Sequence, residues 1–134
     1  MEGMKARIPP DAGQGDEPSG GMVLVVDDHP LVLGLVARVL RLNGFKVETA
    51  GNGGEALERL ANDGDGIDLL LTDIDMPGLD GPSLAERVNR DLPDLPIVYM
   101  TGRPSRGMGR FPVLSKPFEN GHLIEMVRES IDGG

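Results

Sequence analysis

Five positions in this 134-residue sequence combine residue type and spacing in a way that could do chemistry: the Asp27–Asp28 pair, Asp73, Thr101 and Lys116. Each closes a short apolar run. The longest run opens at Ile67 and reads Leu69–Leu70–Leu71–Thr72–Asp73–Ile74–Asp75–Met76–Pro77–Gly78. Continuous apolar residues ended by a Pro-Gly turn indicate a strand buried on both faces, as in a parallel sheet. Asp73 then stands at the carboxyl end of that strand, where open α/β sheets bind their ligands. A carboxylate there serves as a nucleophile, a metal ligand or a turn residue.

Packed together, Asp27, Asp28 and Asp73 repel one another unless a cation joins them. Oxygen-only ligands suit a hard divalent ion, and Mg²⁺ commonly takes one or two carboxylates, waters and a substrate phosphate. With such an ion bound, one carboxylate can attack phosphorus while a lysine neutralises the transferred group. Lys116 offers that fixed charge and Thr101 a hydroxyl donor. Backbone N–H groups after Asp73 and around Thr101–Gly102 can help to cradle an anion. Each residue also has a plainer role: Asp27–Asp28 as helix caps, Asp73 and Thr101–Gly102 as turn residues, and Lys116 as a solvated lysine. Convergence of all five at strand ends favours a site. His29 reads as a solvent-facing residue at a helix start, and Met76, Met100 and Met126 as core packing. Arg103, Arg106 and Arg110 read as solvated loop charge.

The elements that position these residues alternate. Met22–Val26 is a first strand, and Pro30 suits the first turn of a helix. Leu31, Leu35, Val39 and Leu42 recur at helical spacing up to the Asn43–Gly44 stop. Phe45–Thr49 alternates as a strand exposed on one face. Gly53–Ala61 is a second amphipathic helix, closed by Asn62–Asp63–Gly64. After the central strand, Pro82–Asp91 forms a third helix and Pro96–Met100 a fourth buried strand. Phe111–Ser115 is a short fifth strand, and Glu119–Ile131 a last helix. Short connections between alternating strands and helices imply right-handed crossovers and a parallel sheet covered on both faces. Residues 1–20, rich in proline and glycine, read as a disordered tail or linker; residues 21–134 form the folded domain.

With 22 acidic against 13 basic residues, the net charge of −9 disfavours direct nucleic-acid binding. There is no cysteine, and hence no disulfide or thiolate metal site. No run has the length of a membrane span, and a cytoplasmic location follows by default.

From Met22 to Ile131 the sequence resembles a response regulator receiver domain. The resemblance rests on Asp27–Asp28 after strand one, Asp73 in Asp-Ile-Asp-Met-Pro-Gly-Leu-Asp-Gly, Thr101 after strand four, and Lys116–Pro117–Phe118 after strand five. It implies a flavodoxin-like, doubly wound five-stranded parallel sheet of order 2-1-3-4-5. It also implies that Asp73 accepts a phosphoryl group from a histidine kinase or histidine phosphotransfer protein. Asp28 and Asp73 would then hold Mg²⁺ directly, Asp27 through water and Asp75 through its backbone carbonyl. Thr101 and Lys116 would contact the phosphoryl group, and Lys116–Pro117 would be a cis peptide. Such a domain catalyses only its own phosphorylation and dephosphorylation, and it signals to a downstream protein through a surface that changes on phosphorylation. It is either a stand-alone regulator or a receiver from a hybrid kinase.

Two departures stand out. Val113 occupies the place, three before the lysine, where many receivers carry an aromatic switch residue, and Phe111 lies two residues earlier. The stretch from Thr101 to Lys116 is also shorter than usual by roughly two helical turns of about 3.6 residues. The fourth helix is therefore expected to be short or absent. Gly102–Arg110, with its glycines and arginines and no apolar stripe, is expected to be a mobile element that orders on phosphorylation. The rival class is a Mg²⁺-dependent phosphatase of the haloacid-dehalogenase type, which also uses an Asp-x-Asp such as Asp73–Ile74–Asp75. That motif usually follows a first strand, and no cap insertion is present here.

Overall fold

The computed structural model of the chain describes residues 20–102 and 111–133, with the exception of the Asp65 side chain. The expectations for the 1–20 tail, but for Gly20, and for the loop after Gly102 lie outside the described residues. So does the fourth-helix region of the resemblance.

The strands are β1 (Gly21–Val26), β2 (Phe45–Ala50), β3 (Leu69–Asp73), β4 (Ile97–Thr101) and β5 (Val113–Ser115). The helices are α1 (Pro30–Leu42), α2 (Gly53–Asp63), α3 (Gly81–Asp91) and α4 (Asn120–Gly133). All strand pairs are parallel, in the order β2-β1-β3-β4-β5. This is the expected flavodoxin-like, doubly wound arrangement. One core layer joins α1 and α4 to the sheet through Val36, Leu40, Leu71, Val98, Leu123 and Val127. The other joins α2 and α3 through Ala56, Leu60, Leu70, Leu84, Val88 and Ile97. β3 and β4 are buried along their whole length, as their unbroken apolar runs require.

Several boundaries differ from the sequence reading, each for a local reason. α3 starts at Gly81 because the Asp80 side chain, rather than a residue further on, accepts from Ser83 N at 2.9 Å and caps the helix. α2 continues to Asp63 and tightens into a 3-10 turn at Gly64–Gly66 instead of stopping at the Asn62–Asp63–Gly64 turn. β5 begins at Val113, since Pro112 has no N–H to add to the ladder. Phe111 instead packs edge to face on Tyr99, with ring centroids 5.9 Å apart.

The buried face of α1 was not given by the spacing of its leucines. Leu31, Leu35 and Leu42, three of the four residues that recur at helical spacing, are 79%, 60% and 73% exposed. Val36, Ala37, Val39 and Leu40 are the buried residues. The helix is apolar nearly all round, so spacing alone did not single out the inner face.

Two glycines with opposite surroundings give a direct test of the packing. A Cβ at Gly81 would run into the Asp73 carbonyl oxygen and lie 2.8 Å from Ile74 Cα, both rigid backbone at the end of β3. Gly34, exposed within α1, would place its Cβ in open space. Gly81→Ala is expected to destabilise the protein by about 1–3 kcal/mol through overpacking. Gly34→Ala is expected to stabilise it by about 0.5–1 kcal/mol through helix propensity. Urea unfolding of both variants checks the pair; equal effects of the same sign would contradict this packing.

Candidate functional site

Register brings the polar strand ends level. Val26 pairs with Thr72 and Asp73 with Met100, so Asp27 and Asp73 emerge side by side from adjacent strands. Thr101 pairs with Ser115, which places Lys116 just beyond it. Backbone bonds fix this edge: Asp27 N donates to Ala50 O (3.2 Å), Ile74 N to Met100 O (3.1 Å) and Lys116 N to Thr101 O (2.7 Å). Lys116–Pro117 is a cis peptide. At the start of α3, Gly81 N donates to Ile74 O at 2.9 Å, pinning the loop that leaves Asp73.

The carboxylates of Asp27, Asp28 and Asp73 each offer an oxygen within 4.8 Å of the others. Asp27 and Asp73 are buried and Asp28 is exposed. Lys116 Nζ donates to Asp27 Oδ2 at 3.0 Å and to Asp73 Oδ1 at 3.3 Å. The remaining contacts are local. Asp27 Oδ1 accepts from His29 N (2.9 Å), Asp73 Oδ1 from Ile74 N (3.0 Å), and the Thr72 hydroxyl donates to Asp73 O (3.0 Å). Asp27 thus combines a turn role on one oxygen with an ion pair on the other. Neither Asp27 nor Asp28 caps α1, whose N-cap is His29. The His29 side chain is exposed, as expected.

Burial pushes the Asp73 carboxyl above its ordinary pKa of 3.8; Lys116 opposes the shift and the Asp27 charge adds to it. For Lys116, burial works against the charge, but the hydrogen bond and attraction of Asp27, followed by those of Asp73, outweigh it and raise the ammonium pKa. A lysine between two carboxylates leaves the cluster short of positive charge. Three clustered carboxylate oxygens with no softer donor fit a hard divalent cation such as Mg²⁺.

Of the expected site residues, Asp27, Asp28, Asp73 and Lys116 converge. Thr101 is fully buried at the adjacent strand end. Asp75 has an exposed side chain and is not among the clustered carboxylates. Two features escaped the sequence reading. Lys116 pairs more closely with Asp27 than with Asp73, and nothing in strand patterning chooses between them. The close approach of Gly81 to the Asp73 backbone was signalled only by the Asp80–Gly81 dipeptide.

Residues 23–128 match the family model described as response regulator receiver domain. The chain belongs to that family. It is 41% identical over 96 residues to the two-component response regulator ARR11 of Arabidopsis thaliana, covering 70% of this chain and 18% of that protein. It is 35% identical over 118 residues to the DNA-binding transcriptional regulator NtrC of Escherichia coli (strain K12), covering 83% and 25%. Sensor kinase CckA of Brucella abortus (strain 2308) is 31% identical over 117 residues, covering 82% and 12%. The chain thus spans a quarter or less of the length of these three relatives. Among solved structures, the receiver domain from hybrid histidine kinase CckA matches with a TM-score of 0.74 at 33% identity, covering 83% of this chain and 99% of that one. A CheY-like receiver domain protein from Methanospirillum hungatei JF-1 matches with a TM-score of 0.77 at 27% identity, covering 86% and 96%. The fold is that of a signalling domain rather than of a classical enzyme, which removes the ground for the phosphatase alternative. Asp73–Ile74–Asp75 also follows the third strand, not the first. Among the described residues, no helix is long and apolar enough to cross a membrane.

The raised Asp73 pKa has a consequence for stability. The folded protein holds the Asp73 proton more tightly than the unfolded chain, so ionising Asp73 costs stability. That cost is present above the raised pKa and is relieved as pH falls through it towards 3.8. In metal-free buffer at neutral pH, Asp73→Asn is expected to melt a few degrees above the wild type. The gap should narrow as pH falls through this window. A variant melting below the wild type at neutral pH would contradict the assignment.

Proposed function

We propose that this receiver domain accepts a phosphoryl group on Asp73 from a phosphohistidine of a histidine kinase or histidine phosphotransfer protein. The observation that carries this reading is Lys116 Nζ lying 3.0 Å from Asp27 and 3.3 Å from Asp73 at the end of the central strand. A fixed cation beside a buried carboxylate neutralises charge on an incoming phosphoryl group. The Asp73 carboxylate oxygen attacks phosphorus and the phosphorus–nitrogen bond breaks, its electron pair staying on the histidine nitrogen. Lys116 then exchanges a carboxylate oxygen for a phosphoryl oxygen, and the Thr101 hydroxyl donates to a second.

In this reading Asp28 and Asp73 hold Mg²⁺, with Asp27 through water and the Asp75 carbonyl completing the protein ligands. The ion supplies charge neutralisation as the phosphoryl group transfers. The unit is residues 21–134, with 1–20 as a tail or linker, and it works in the cytoplasm by binding Mg²⁺ and proteins rather than nucleic acid. Its output is a phosphorylation-dependent surface read by another protein. Similarity both to regulators such as NtrC and to sensor kinases such as CckA supports either setting, stand-alone or within a kinase.

The exposed leucines of α1 support a protein rather than a metabolite as donor. Leu31 lies three residues beyond Asp28, and Leu35 and Leu42 continue the strip along the helix. A protein that delivers a phosphoryl group to Asp73 can bury this strip as it covers the site.

Acetyl phosphate with Mg²⁺ should add one phosphoryl mass to the wild type and none to Asp73→Asn, read by intact mass. A Leu31→Asp/Leu35→Asp variant should label from acetyl phosphate as the wild type does. From a phosphohistidine protein it should label about tenfold more slowly, equivalent to about 1.4 kcal/mol of docking. Full labelling of Asp73→Asn would overturn the acceptor; equal slowing with both donors would overturn the docking role of α1.

A further inference from the structure

The outer edge of β2 is met by side chains from two helices. Among the described residues β2 is the terminal strand of the sheet, six residues long and paired on one side with β1. Carbonyls alternate in direction along a strand, and Ala50 O points to β1, where it accepts from Asp27 N. The Val47 and Thr49 carbonyls therefore point outward, where an added strand would bind. Both already have donors. Arg41, from the last turn of α1, donates through a terminal guanidinium nitrogen to Val47 O at 3.1 Å. Arg59, from α2, donates through Nε to Thr49 O at 2.8 Å. The two arginines reach the edge from opposite faces of the sheet, since α1 and α2 pack in different core layers. Arg59 is held in place by Glu55 at 3.2 Å, whose other oxygen accepts from Gly51 N just beyond the strand.

We propose that Arg41 and Arg59 are edge guards that occupy two outward acceptors of β2, Val47 O and Thr49 O, and prevent the strand from pairing with an extended segment, above all with β2 of a second copy. An unpaired strand edge is a template for association, and sheets need some device to blunt it. One such device is a charged side chain on the edge strand itself. Here the charge is bonded to the carbonyls themselves, which both satisfies them and places a guanidinium in the path of an incoming strand. The opposite edge has less need of a guard, because β5 is only three residues long. This role is independent of any chemistry at Asp73.

The test compares the wild type with Arg41→Ala/Arg59→Ala over a concentration series. Removing two positive charges takes the net charge from −9 to −11, so simple repulsion predicts weaker association in the variant. The proposal predicts the opposite: concentration-dependent larger species in sedimentation velocity. It also predicts slower amide exchange at Val47 and Thr49 as concentration rises, with neither change in the wild type. If the alanine variant does not fold, Arg41→Met/Arg59→Met keeps the aliphatic stems while removing the donors. A folded variant that sediments as the wild type does, or that associates with no protection at Val47 and Thr49, would overturn the proposal.

Discussion

The structure depends on keeping two carboxylates, Asp27 and Asp73, inside the protein at the ends of neighbouring strands. Their side chains are 0% and 11% exposed, and their charges repel. A bridging lysine makes this tolerable. Lys116 comes from a third strand end and reaches both carboxylates, so the site closes only if β1, β3 and β5 finish at the same level. The parallel register provides that level finish, and the two core layers hold the strands in it. Burial that stabilises the sheet therefore also strains the electrostatics of its edge. A site left with excess negative charge has the donor set that could hold a divalent cation.

Much of this was legible in the sequence because parallel sheets write themselves plainly. β3 and β4 are unbroken apolar runs that end at Asp73 and Thr101, and alternation with helices implies a parallel sheet; its order, 2-1-3-4-5, came from the family resemblance. The convergence of Asp27, Asp28, Asp73 and Lys116 followed from strand ends lying on one edge, and the structure brings these four together. What was less legible depended on which side of an element faces inward. α1 is apolar around most of its circumference, so the spacing of Leu31, Leu35 and Leu42 did not reveal that they stand in solvent. The partner chosen by Lys116, the capping of α3 by Asp80 and the arginine contacts on β2 depend on side-chain reach in three dimensions. Residue spacing along the chain does not encode that reach.

The exposed strip of α1 begins with Leu31, three residues beyond Asp28, and runs away from the acidic cluster through Leu35 to Leu42. At the start of α1 the protein offers apolar area beside a site with excess negative charge, a surface suited to transient docking of another protein. Along β2 it presents backbone already satisfied by arginine. Val113, at the place of the aromatic switch in the resemblance, pairs with Tyr99 in the sheet, and the aromatic contact falls instead between Tyr99 and Phe111.

The central claim, that Asp73 and Lys116 form one electrostatic unit in a buried acidic site, is most directly tested by carboxyl-detected NMR titration of Asp73. The wild type and Lys116→Met would be compared in metal-free buffer. Asp73 should titrate above the ordinary aspartate value of 3.8 in the wild type, and higher still once the lysine that favours its charge is gone. Titration near the ordinary value in both proteins would contradict the account.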